Sequence, residues 1–459
     1  MSSMHTWDQK TELFAHSVIG YAIERLRLPK DPRWGSHPCA ELEAALAHAI
    51  TPEGAGGLEA LRLVRDVLIP ACRPMDDPMN LAYVPTAPTV AATMFDLVVS
   101  ASSIFGGAWE AGAGAIAAEN QALRWLADLA GLPPSAGGVF LSGGSAVNLS
   151  ALVTARSEFR ERHPHTGRLA FAATTEVHAS VRATARVMDV EVVTVEVDHR
   201  DRMTAAALRA ALDQVGDRVT VFAVVTSAGT TNVGAIDLID EIADVCAERT
   251  LWLHVDGAYG LAAMCSPRGR SRMGGMERVD SFGVDPHKWL FAPYDCAALV
   301  YRDPAPAARA HAQHGDYLDA VDRAEWNPTD YTYHLSRRVR GLPLWFSLAT
   351  YGTDAYAEAM DATLDTAVGF AAAVDAHPGF DLLLEPELSV VLFRPHEWTP
   401  DHYRQWSTSR AHDGVALLVP TTWHGEACWR ICIVHPHTTV SALVALLDDM
   451  ATFAPDPAP

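Results

Sequence analysis

The chain has 459 residues, of which 49% are apolar and 20% are charged, as in an ordinary soluble globular protein. This length suffices for two or three packed domains, or for one large domain with smaller additions. The formal net charge of -21 argues against nucleic acid or an anionic membrane as a partner, because both would repel the chain.

The N-terminus and the cysteines predict a cytoplasmic protein without disulfides. Residues 1–17 carry charges throughout and lack the apolar core of a signal peptide. The apolar stretch 89–118 is interrupted by Asp96 and Glu110, so it does not predict a membrane span. The seven cysteines are dispersed and form no CxxC pair, which favours reduced thiols and argues against a structural zinc site or another metal centre.

In chain order, the first predicted segment is helical and covers residues 1–75. The amphipathic run DQKTELFAHSVIGYAIERL predicts its first helix, and Pro-containing breaks separate this helix from two others. A Pro-bearing loop, NLAYVPTAPT, then leads into a long Ala-rich helical stretch that ends in AIAAENQALRWLADLAG.

From Gly137 onward, short apolar runs such as GGVFL, LAFAATT, VTVFAVVTSA and LWLHVDGA alternate with helical patterns. Strands that are apolar on both faces and alternate with helices predict a mostly parallel sheet covered on both sides. We therefore predict a large α/β domain over residues 76–348. A small C-terminal α+β domain is predicted over residues 349–459, where strands such as EACWRICIVHP appear.

Two motifs at strand ends suggest a binding site. Asp256 follows the run LWLHV and should lie near the carboxyl end of that strand, where ligands bind in open α/β sheets, although a lone Asp there is more often a turn cap. In FLSGGSAVNLSAL, a strand leads through Gly144 and Ser145 into a helix, and the backbone amides of such a turn suit an anion. The turn lacks the spacing of nucleotide-binding motifs.

Lys288 stands between His287 and Trp289 in VDPHKWL. Burial among apolar neighbours should disfavour the charged amine, which could then form a Schiff base, whereas most lysines simply lie at the surface. An anion-binding turn, a carboxylate and a reactive amine are together what pyridoxal phosphate requires, for its phosphate, its pyridine nitrogen and its aldehyde.

The motifs, in this order, resemble the group II family of pyridoxal-phosphate-dependent amino-acid decarboxylases, which includes aromatic-amino-acid, histidine and glutamate decarboxylases. The resemblance runs from AYVPT through SGGS, HVDGAYG, DPHKW and SRRVRGLPLW to WRICIVHPHTT. It implies fold type I of the pyridoxal-phosphate-dependent transferases, with a mostly parallel seven-stranded sheet in the large domain. It also implies a homodimer with active sites at the subunit interface, and a small-molecule substrate that is an amino acid.

The resemblance implies a role for each matching residue. Lys288 would form the Schiff base, Asp256 would pair with the pyridinium nitrogen, and His178 would stack on the ring face. The other implied cofactor contacts are Gly144, Ser145, Thr231, Ala258 and His287.

A loop tyrosine is the usual acid that protonates the carbon after carbon dioxide has left. The segment WNPTDYTYHLSRR offers Tyr331 and Tyr333, and Tyr331 in TDY is the candidate here. An ordinary loop tyrosine is the alternative, because this loop is shorter than in aromatic-amino-acid decarboxylases.

The resemblance also assigns two walls to the substrate pocket. One wall is Tyr83, Val84, Pro85 and Thr86. The other wall comes from the neighbouring subunit, and in it only Ile104, Phe105 and Trp109 supply bulk among small residues. We therefore expect a pocket that accepts a large or atypical side chain.

Three functions follow from the sequence. The first is decarboxylation of an L-amino acid to the amine. The second is decarboxylation coupled to oxidative deamination, which gives an aldehyde when oxygen reacts with a carbanion that is not protonated promptly. The third, a non-catalytic scaffold, is disfavoured by the intact Lys288, Asp256, His178 and His287.

Overall fold

The computed structural model describes residues 3–28, 31, 33–164, 167–313 and 325–454. The helices of this part are α1 (Gln9–Arg27), α2 (Cys39–Leu46), α3 (Gly57–Leu63), α4 (Val90–Ser102), α5 (Trp109–Leu129), α6 (Gly144–Arg162), α7 (Ala179–Met188), α8 (Ala205–Val215), α9 (Ile239–Arg249), α10 (Pro267–Arg270), α11 (Pro286–Trp289), α12 (Ala305–His311), α13 (Leu342–Ala376), α14 (Pro400–Asp413) and α15 (Val440–Thr452). The strands are β1 (Gly137–Leu141), β2 (Leu169–Thr174), β3 (Glu191–Val195), β4 (Thr220–Ser227), β5 (Trp252–Asp256), β6 (Ser281–Val284), β7 (Ala297–Tyr301), β8 (Phe380–Leu384), β9 (Val390–Pro395), β10 (Val419–Trp423) and β11 (Glu426–Cys432). Among the described residues, no helix combines the length and the apolar content that crossing a bilayer would require.

The N-terminal helices α1, α2 and α3 bury none of their residues. α1 starts after Asp8, whose side chain accepts a hydrogen bond from the Thr11 amide at 2.8 Å, as an Asp N-cap commonly does. Along α1, Leu13 and Ile23 remain 59% and 41% exposed. The apolar stripe of this amphipathic helix is therefore left open.

The Ala-rich stretch after residue 89 forms two helices, α4 and α5, and not the single long helix that its composition predicts. Ser103 ends α4 in the left-handed conformation, with φ 49°. Gly107 then passes so close to a neighbouring loop that a Cβ atom would lie 2.7 Å from the Leu335 carbonyl oxygen. This tertiary contact requires glycine, and local helix propensity could not reveal it.

The large sheet has the strand order β1-β7-β6-β5-β4-β2-β3. The pairs from β6 to β3 are parallel, whereas β7 runs antiparallel to both β1 and β6. All residues of β2 are buried, as expected for a strand covered on both faces. The prediction of a mostly parallel seven-stranded sheet is confirmed. The loops after β1, β4, β5 and β6 meet at one edge because the carboxyl ends of these strands lie together.

The second sheet is antiparallel, in the order β10-β11-β9-β8. Helices α13, α14 and α15 pack on it around an aromatic core that includes Trp406, Trp429 and Phe393. The predicted small α+β unit at the C-terminal end is therefore present. α13 runs past the predicted boundary at residue 349 and kinks at Gly352, where φ is 78°. The division into ranges 1–75, 76–348 and 349–459 stays a prediction.

A buried ion pair joins α5 to the segment before α13. The Arg337 and Glu119 side chains are 0% and 2% exposed, and Nη1 and Nη2 of Arg337 donate to the carboxylate at 2.8 and 2.9 Å. Arg337 also donates to the Gly106 carbonyl oxygen at 2.6 Å, and Glu119 accepts the Gly341 amide at 2.8 Å. The pair therefore fixes the loop between α4 and α5 against the rest of the large domain.

Replacing Glu119 with Gln should lower the free energy of unfolding by about 3–5 kcal/mol, because the Arg337 guanidinium would stay buried without a counter-ion. Denaturant titration followed by circular dichroism measures this change. The control is Asp213→Asn, which removes the exposed partner of Arg249 and should change stability far less. Equal effects of the two substitutions would contradict a structural role for the buried pair.

Candidate active site

A cavity of about 390 Å³ lies at the carboxyl edge of the large sheet. Its walls come from the loops after β1, β4, β5 and β6, from the start of α7 and from the segment before α4. The residues that line it are Tyr83, Val84, Ser142, Gly143, Gly144, Ser145, His178, Ser180, Ser227, Gly229, Thr230, Thr231, Asp256, Ala258, Tyr259, Asp285, His287 and Lys288.

A larger cavity of about 740 Å³ lies beside α1 and α13, and its walls include neither Lys288 nor Asp256. The smaller cavity is the candidate active site, because ionisable groups and hydrogen-bond donors converge there. It brings together all the predicted cofactor contacts, which are Gly144, Ser145, His178, Thr231, Asp256, Ala258, His287 and Lys288. Their individual roles stay predictions.

Lys288 lies in α11, just after β6, and its side chain is 23% exposed. Its Nζ atom is 3.0 Å from Asp285 Oδ2. Burial lowers the pKa of Lys288, but the Asp285 and Asp256 carboxylates outweigh this effect and raise the pKa above its usual value. Burial therefore disfavours the ammonium form, as expected, but the net shift of the pKa is upward, because the apolar neighbours in the sequence do not reveal the counter-ion.

Asp285 also lines this cavity, and the sequence alone does not reveal its role, although it stands three positions before Lys288 in the DPHK motif. Its side chain is almost fully buried. Oδ2 also accepts the Gly144 amide at 3.2 Å and lies 3.8 Å from His287 Nε2. Oδ1 is buried and has no hydrogen-bond partner within the described part of the chain. The cavity wall thus presents an unpaired acceptor beside the glycine turn.

Asp256 ends β5, as predicted, and its carboxylate is held by two donors. Asn148 Nδ2 donates to Oδ2 at 2.8 Å, and the Ala258 amide donates to Oδ1 at 3.2 Å. Such charge-assisted hydrogen bonds fix the orientation of a carboxylate. Asn148 was missed in the sequence because it lies on a helix more than 100 residues before Asp256.

The two predicted histidines occupy different environments. His178 is the N-cap of α7, and its Nδ1 accepts the Ser180 amide at 3.2 Å. Because Nδ1 accepts this hydrogen bond, Nε2 is the ring nitrogen that remains to contact a molecule bound in the cavity. His287 is buried, and its Nδ1 lies 2.7 Å from the Cys296 carbonyl oxygen. Burial lowers the pKa of His287, although the charge of Asp285 opposes this shift.

The glycine turn between β1 and α6 forms one end of the cavity. A Cβ atom at Gly144 would lie 3.0 Å from Ala258 Cβ and 3.2 Å from Asp285 Oδ2, so glycine keeps the turn close to the neighbouring loops. The first amides of the 19-residue helix α6 begin here. The N-terminus of such a helix attracts an anion through its free N–H groups and its dipole.

From the predicted substrate walls, Tyr83 and Val84 line the cavity, whereas Pro85 and Thr86 are buried next to it. Ile104 and Phe105 lie in the connection between α4 and α5, and the Trp109 amide starts α5 by donating to Asn327 Oδ1 at 2.8 Å. These three residues do not line the cavity of their own chain.

Tyr331 also lies outside the cavity. Its ring stacks on Trp326 with centroids 3.9 Å apart, and it packs against the apolar cluster around Val139 and Val147. Tyr331 therefore has no contact with the cavity of its own chain in this arrangement, and its catalytic role stays a prediction.

The residues present fit pyridoxal phosphate. The start of α6 and Ser145 offer donors for a phosphate, and the close approach of Gly144 to the cavity wall excludes a side chain from that space. The Asp256 carboxylate suits a protonated pyridine nitrogen, and Lys288 supplies the amine for the aldehyde. The fold and the site together define a fold-type I pyridoxal phosphate enzyme.

Comparison with known proteins also indicates a pyridoxal phosphate enzyme. A family model described as "Pyridoxal-dependent decarboxylase conserved domain" matches residues 46–396. The aromatic-L-amino-acid decarboxylase of Bacillus atrophaeus is 29% identical over 454 residues, which cover 94% of this chain and 93% of that protein. The L-2,4-diaminobutyrate decarboxylase of Rhizobium meliloti (strain 1021) is 31% identical over 425 residues, which cover 90% of this chain and 82% of that protein.

Among solved structures, Rhodiola rosea 4-hydroxyphenylacetaldehyde synthase superposes with a TM-score of 0.86 at 24% identity, covering 96% of this chain and 97% of that one. At this identity the likeness shows a shared fold. The chain belongs to the group II pyridoxal-phosphate-dependent decarboxylase family. It is therefore a carboxy-lyase of the pyridoxal phosphate type, as its motifs predicted.

Asp285→Asn should allow Lys288 to react at lower pH, since the Asp285 carboxylate helps to raise the pKa of the amine. Acetylation measures this directly, because the neutral amine reacts and the ammonium does not. The cofactor-free protein would be labelled across a pH series. The only other lysines are Lys10 and Lys30, so peptide mass spectrometry can follow Lys288 alone.

Asp295→Asn is the matched control for this experiment. It removes an equal charge from the same region, but Asp295 pairs with Arg340 at 2.8 Å and not with Lys288. An acetylation profile of Lys288 that is the same in both variants would contradict the pairing of Lys288 with Asp285.

Proposed function

We propose that this protein removes the α-carboxylate of an L-amino acid, releasing carbon dioxide and the amine, and that Lys288 binds the aldehyde of the cofactor. The observation that carries the proposal is the convergence of Lys288, Asp256 and His178 on one cavity. Membership of the decarboxylase family supports the class of reaction.

The bound cofactor and the side chains of the protein would contribute different parts of the reaction. When bound, pyridoxal phosphate supplies an electron-withdrawing ring that accepts the electron pair left by the departing carbon dioxide. Asp256, held by Asn148, would keep the pyridine nitrogen protonated. The amides at the start of α6 would bind the phosphate, and His178 would cover the face of the ring.

Lys288 would have a second role once the amine of the substrate has replaced it at the cofactor aldehyde. Its freed Nζ atom can return to Asp285, and the 3.0 Å contact stabilises the ammonium form there. Asp285 would thus hold the lysine in position until the product leaves. The small remaining exposure of Lys288 limits the access of water to this amine.

The substrate is proposed as an L-amino acid with a bulky or otherwise atypical side chain. The two relatives described above are named for aromatic amino acids and for 2,4-diaminobutyrate, which differ in charge and shape. In this chain, Tyr83 and Val84 line the cavity, and Tyr83 is 64% exposed. Ile104, Phe105 and Trp109 would complete the pocket from a neighbouring subunit.

A homodimer is the proposed form of the enzyme. The open apolar stripe of α1 and the exposure of Leu97 and Val98 on α4, 43% and 48%, favour burial against a second copy. Ile104, Phe105 and Tyr331 lie outside the cavity of their own chain. In a dimer, these residues would lie at the active site of the other subunit.

The alternative is an aldehyde-forming reaction. In it, an amino acid, oxygen and water give an aldehyde, carbon dioxide, ammonia and hydrogen peroxide. Two observations support keeping this alternative. The Tyr331 ring is stacked on Trp326 and does not line its own cavity, and a protein of the same fold is named 4-hydroxyphenylacetaldehyde synthase.

Product analysis distinguishes these reactions. The protein is incubated with a panel of L-amino acids, and carbon dioxide, amine, aldehyde and peroxide are measured. We expect amine without peroxide, whereas aldehyde with peroxide would support the alternative. Lys288→Ala is the control, and it should lose both the turnover and the visible absorbance of the bound cofactor. If no product formed across a broad panel, or if the absorbance survived in the variant, the proposal would be wrong.

Tyr331→Phe should raise the fraction of aldehyde among the products if Tyr331 is the proton donor, because a carbanion that is protonated slowly is exposed to oxygen for longer. The measurement is the ratio of aldehyde to amine at a fixed oxygen concentration. Tyr333→Phe tests the other tyrosine of the same loop, which is 52% exposed. An unchanged ratio in Tyr331→Phe would assign the proton to another residue.

A further inference from the structure

A line of buried polar side chains runs from the large sheet to the cavity. Trp252 Nε1 donates to Ser281 Oγ at 2.9 Å, and Ser281 Oγ lies 2.9 Å from His254 Nδ1. His254 Nε2 lies 3.0 Å from Asn148 Oδ1. Ser281, His254 and Asn148 are at most 1% exposed, so these groups depend on one another for their hydrogen bonds.

At Asn148 the line divides into two branches. Nδ2 donates to Asp256 Oδ2 at 2.8 Å and to Ser180 Oγ at 3.0 Å. Ser180 Oγ lies 2.8 Å from His178 Nδ1, which also accepts the Ser180 amide. A single amide group therefore reaches Asp256 directly and His178 through one hydroxyl.

The charge of Asp256 fixes the direction of the first branch. A carboxylate only accepts, so the NH2 group of Asn148 faces it and the amide oxygen faces His254, which must donate from Nε2. Burial lowers the pKa of His254 to about 4, although the charge of Asp256 opposes this shift, so the ring is neutral and its Nδ1 accepts from Ser281. The indole N–H of Trp252 can only donate, and it occupies the Ser281 oxygen.

The second branch fixes the tautomer of His178. Because Ser180 Oγ accepts from Asn148, its hydroxyl hydrogen can point to His178 Nδ1, where the Ser180 amide also donates. A ring nitrogen that accepts hydrogen bonds carries no proton in neutral imidazole, so the proton of His178 resides on Nε2. His178 can therefore offer an N–H donor to the cavity.

We propose that Asn148 is a positioning residue that sets the Asp256 carboxylate and the His178 ring in one arrangement for the cofactor. Asn148 does not line the cavity, so it acts through these two residues. His254 and Ser281 lock its amide against rotation, as outer partners commonly do around a bound group. The inference rests on the proposed roles of Asp256 and His178 in this cavity.

Asn148→Leu tests the proposal, because leucine has a similar size and removes both donors. We expect the dissociation constant for pyridoxal phosphate, measured by titrating the cofactor-free full-length protein, to rise about 10- to 100-fold. The visible circular dichroism per bound cofactor should also change, since it reports how the ring is held. Thr154→Val is the matched control, because Thr154 is fully buried on the same helix and bonds to Tyr301, away from the cavity.

A double-mutant cycle with Asp256→Asn separates positioning from a general loss of structure. If Asn148 acts through Asp256, Asn148→Leu should weaken cofactor binding much less in the Asp256→Asn background than in the native chain. Additive effects would overturn the proposal, and so would an effect of Asn148→Leu no larger than that of Thr154→Val.

Asn148→Asp provides a second variant of nearly the same shape if the leucine variant does not fold. It replaces the donor to Asp256 by a carboxylate, and it should raise the dissociation constant for pyridoxal phosphate at least about 10-fold relative to the native chain. Native affinity in this variant would overturn the proposed role of Asn148. If the native chain did not bind pyridoxal phosphate, or if it bound the cofactor without using Lys288, the proposed function itself would fail instead.

Discussion

The parallel arrangement of β4, β5 and β6, with β1 running in the same direction, is the constraint on which the site depends. Four loops that are distant in the sequence meet at one edge because their strands all end there. Each loop brings one part of the chemistry: an anion-binding turn, a small-residue loop, a carboxylate and an amine. Each of these groups is common in proteins, and the strand order of the sheet places them close to one another.

The electrostatics of the cavity follow from its two carboxylates. Asp256 is satisfied by Asn148 and Ala258, which leaves its charge available for a cationic ring nitrogen. Asp285 is paired with Lys288, and this contact favours the cationic form of the Lys288 amine. The pairing with carboxylates thus outweighs burial in its effect on the pKa of this lysine. In the proposed function, Lys288 would have to lose a proton before it could bind an aldehyde.

The sequence predicted the fold class and the residues that lie in continuous motifs, such as Asp256 at a strand end and Lys288 in DPHKW. It missed groups whose importance comes from contacts across the fold. Asn148 stands in an ordinary helix, and Asp285 stands in the DPHKW motif, but the sequence does not show that their side chains contact Asp256 and Lys288. The break between α4 and α5 was missed for a similar reason, since it results from the close approach of a glycine to a distant loop. Tyr331 and Phe105 would reach an active site only in the proposed dimer, and patterns within a single chain do not describe contacts between subunits.

Helix α6 joins two ends of the site in one rigid element. Gly144, at its first residue, donates to Asp285 beside the anion-binding turn, and Asn148, four residues later, donates to Asp256. Four residues of helix advance by about 6 Å and return to nearly the same face. This single turn sets the distance between the end of the cavity that is proposed for the phosphate and the end that is proposed for the ring nitrogen. Inserting or deleting one residue between these positions would rotate Asn148 by about 100° away from Asp256. The segment can therefore tolerate changes of side chain during evolution much more readily than any change of length.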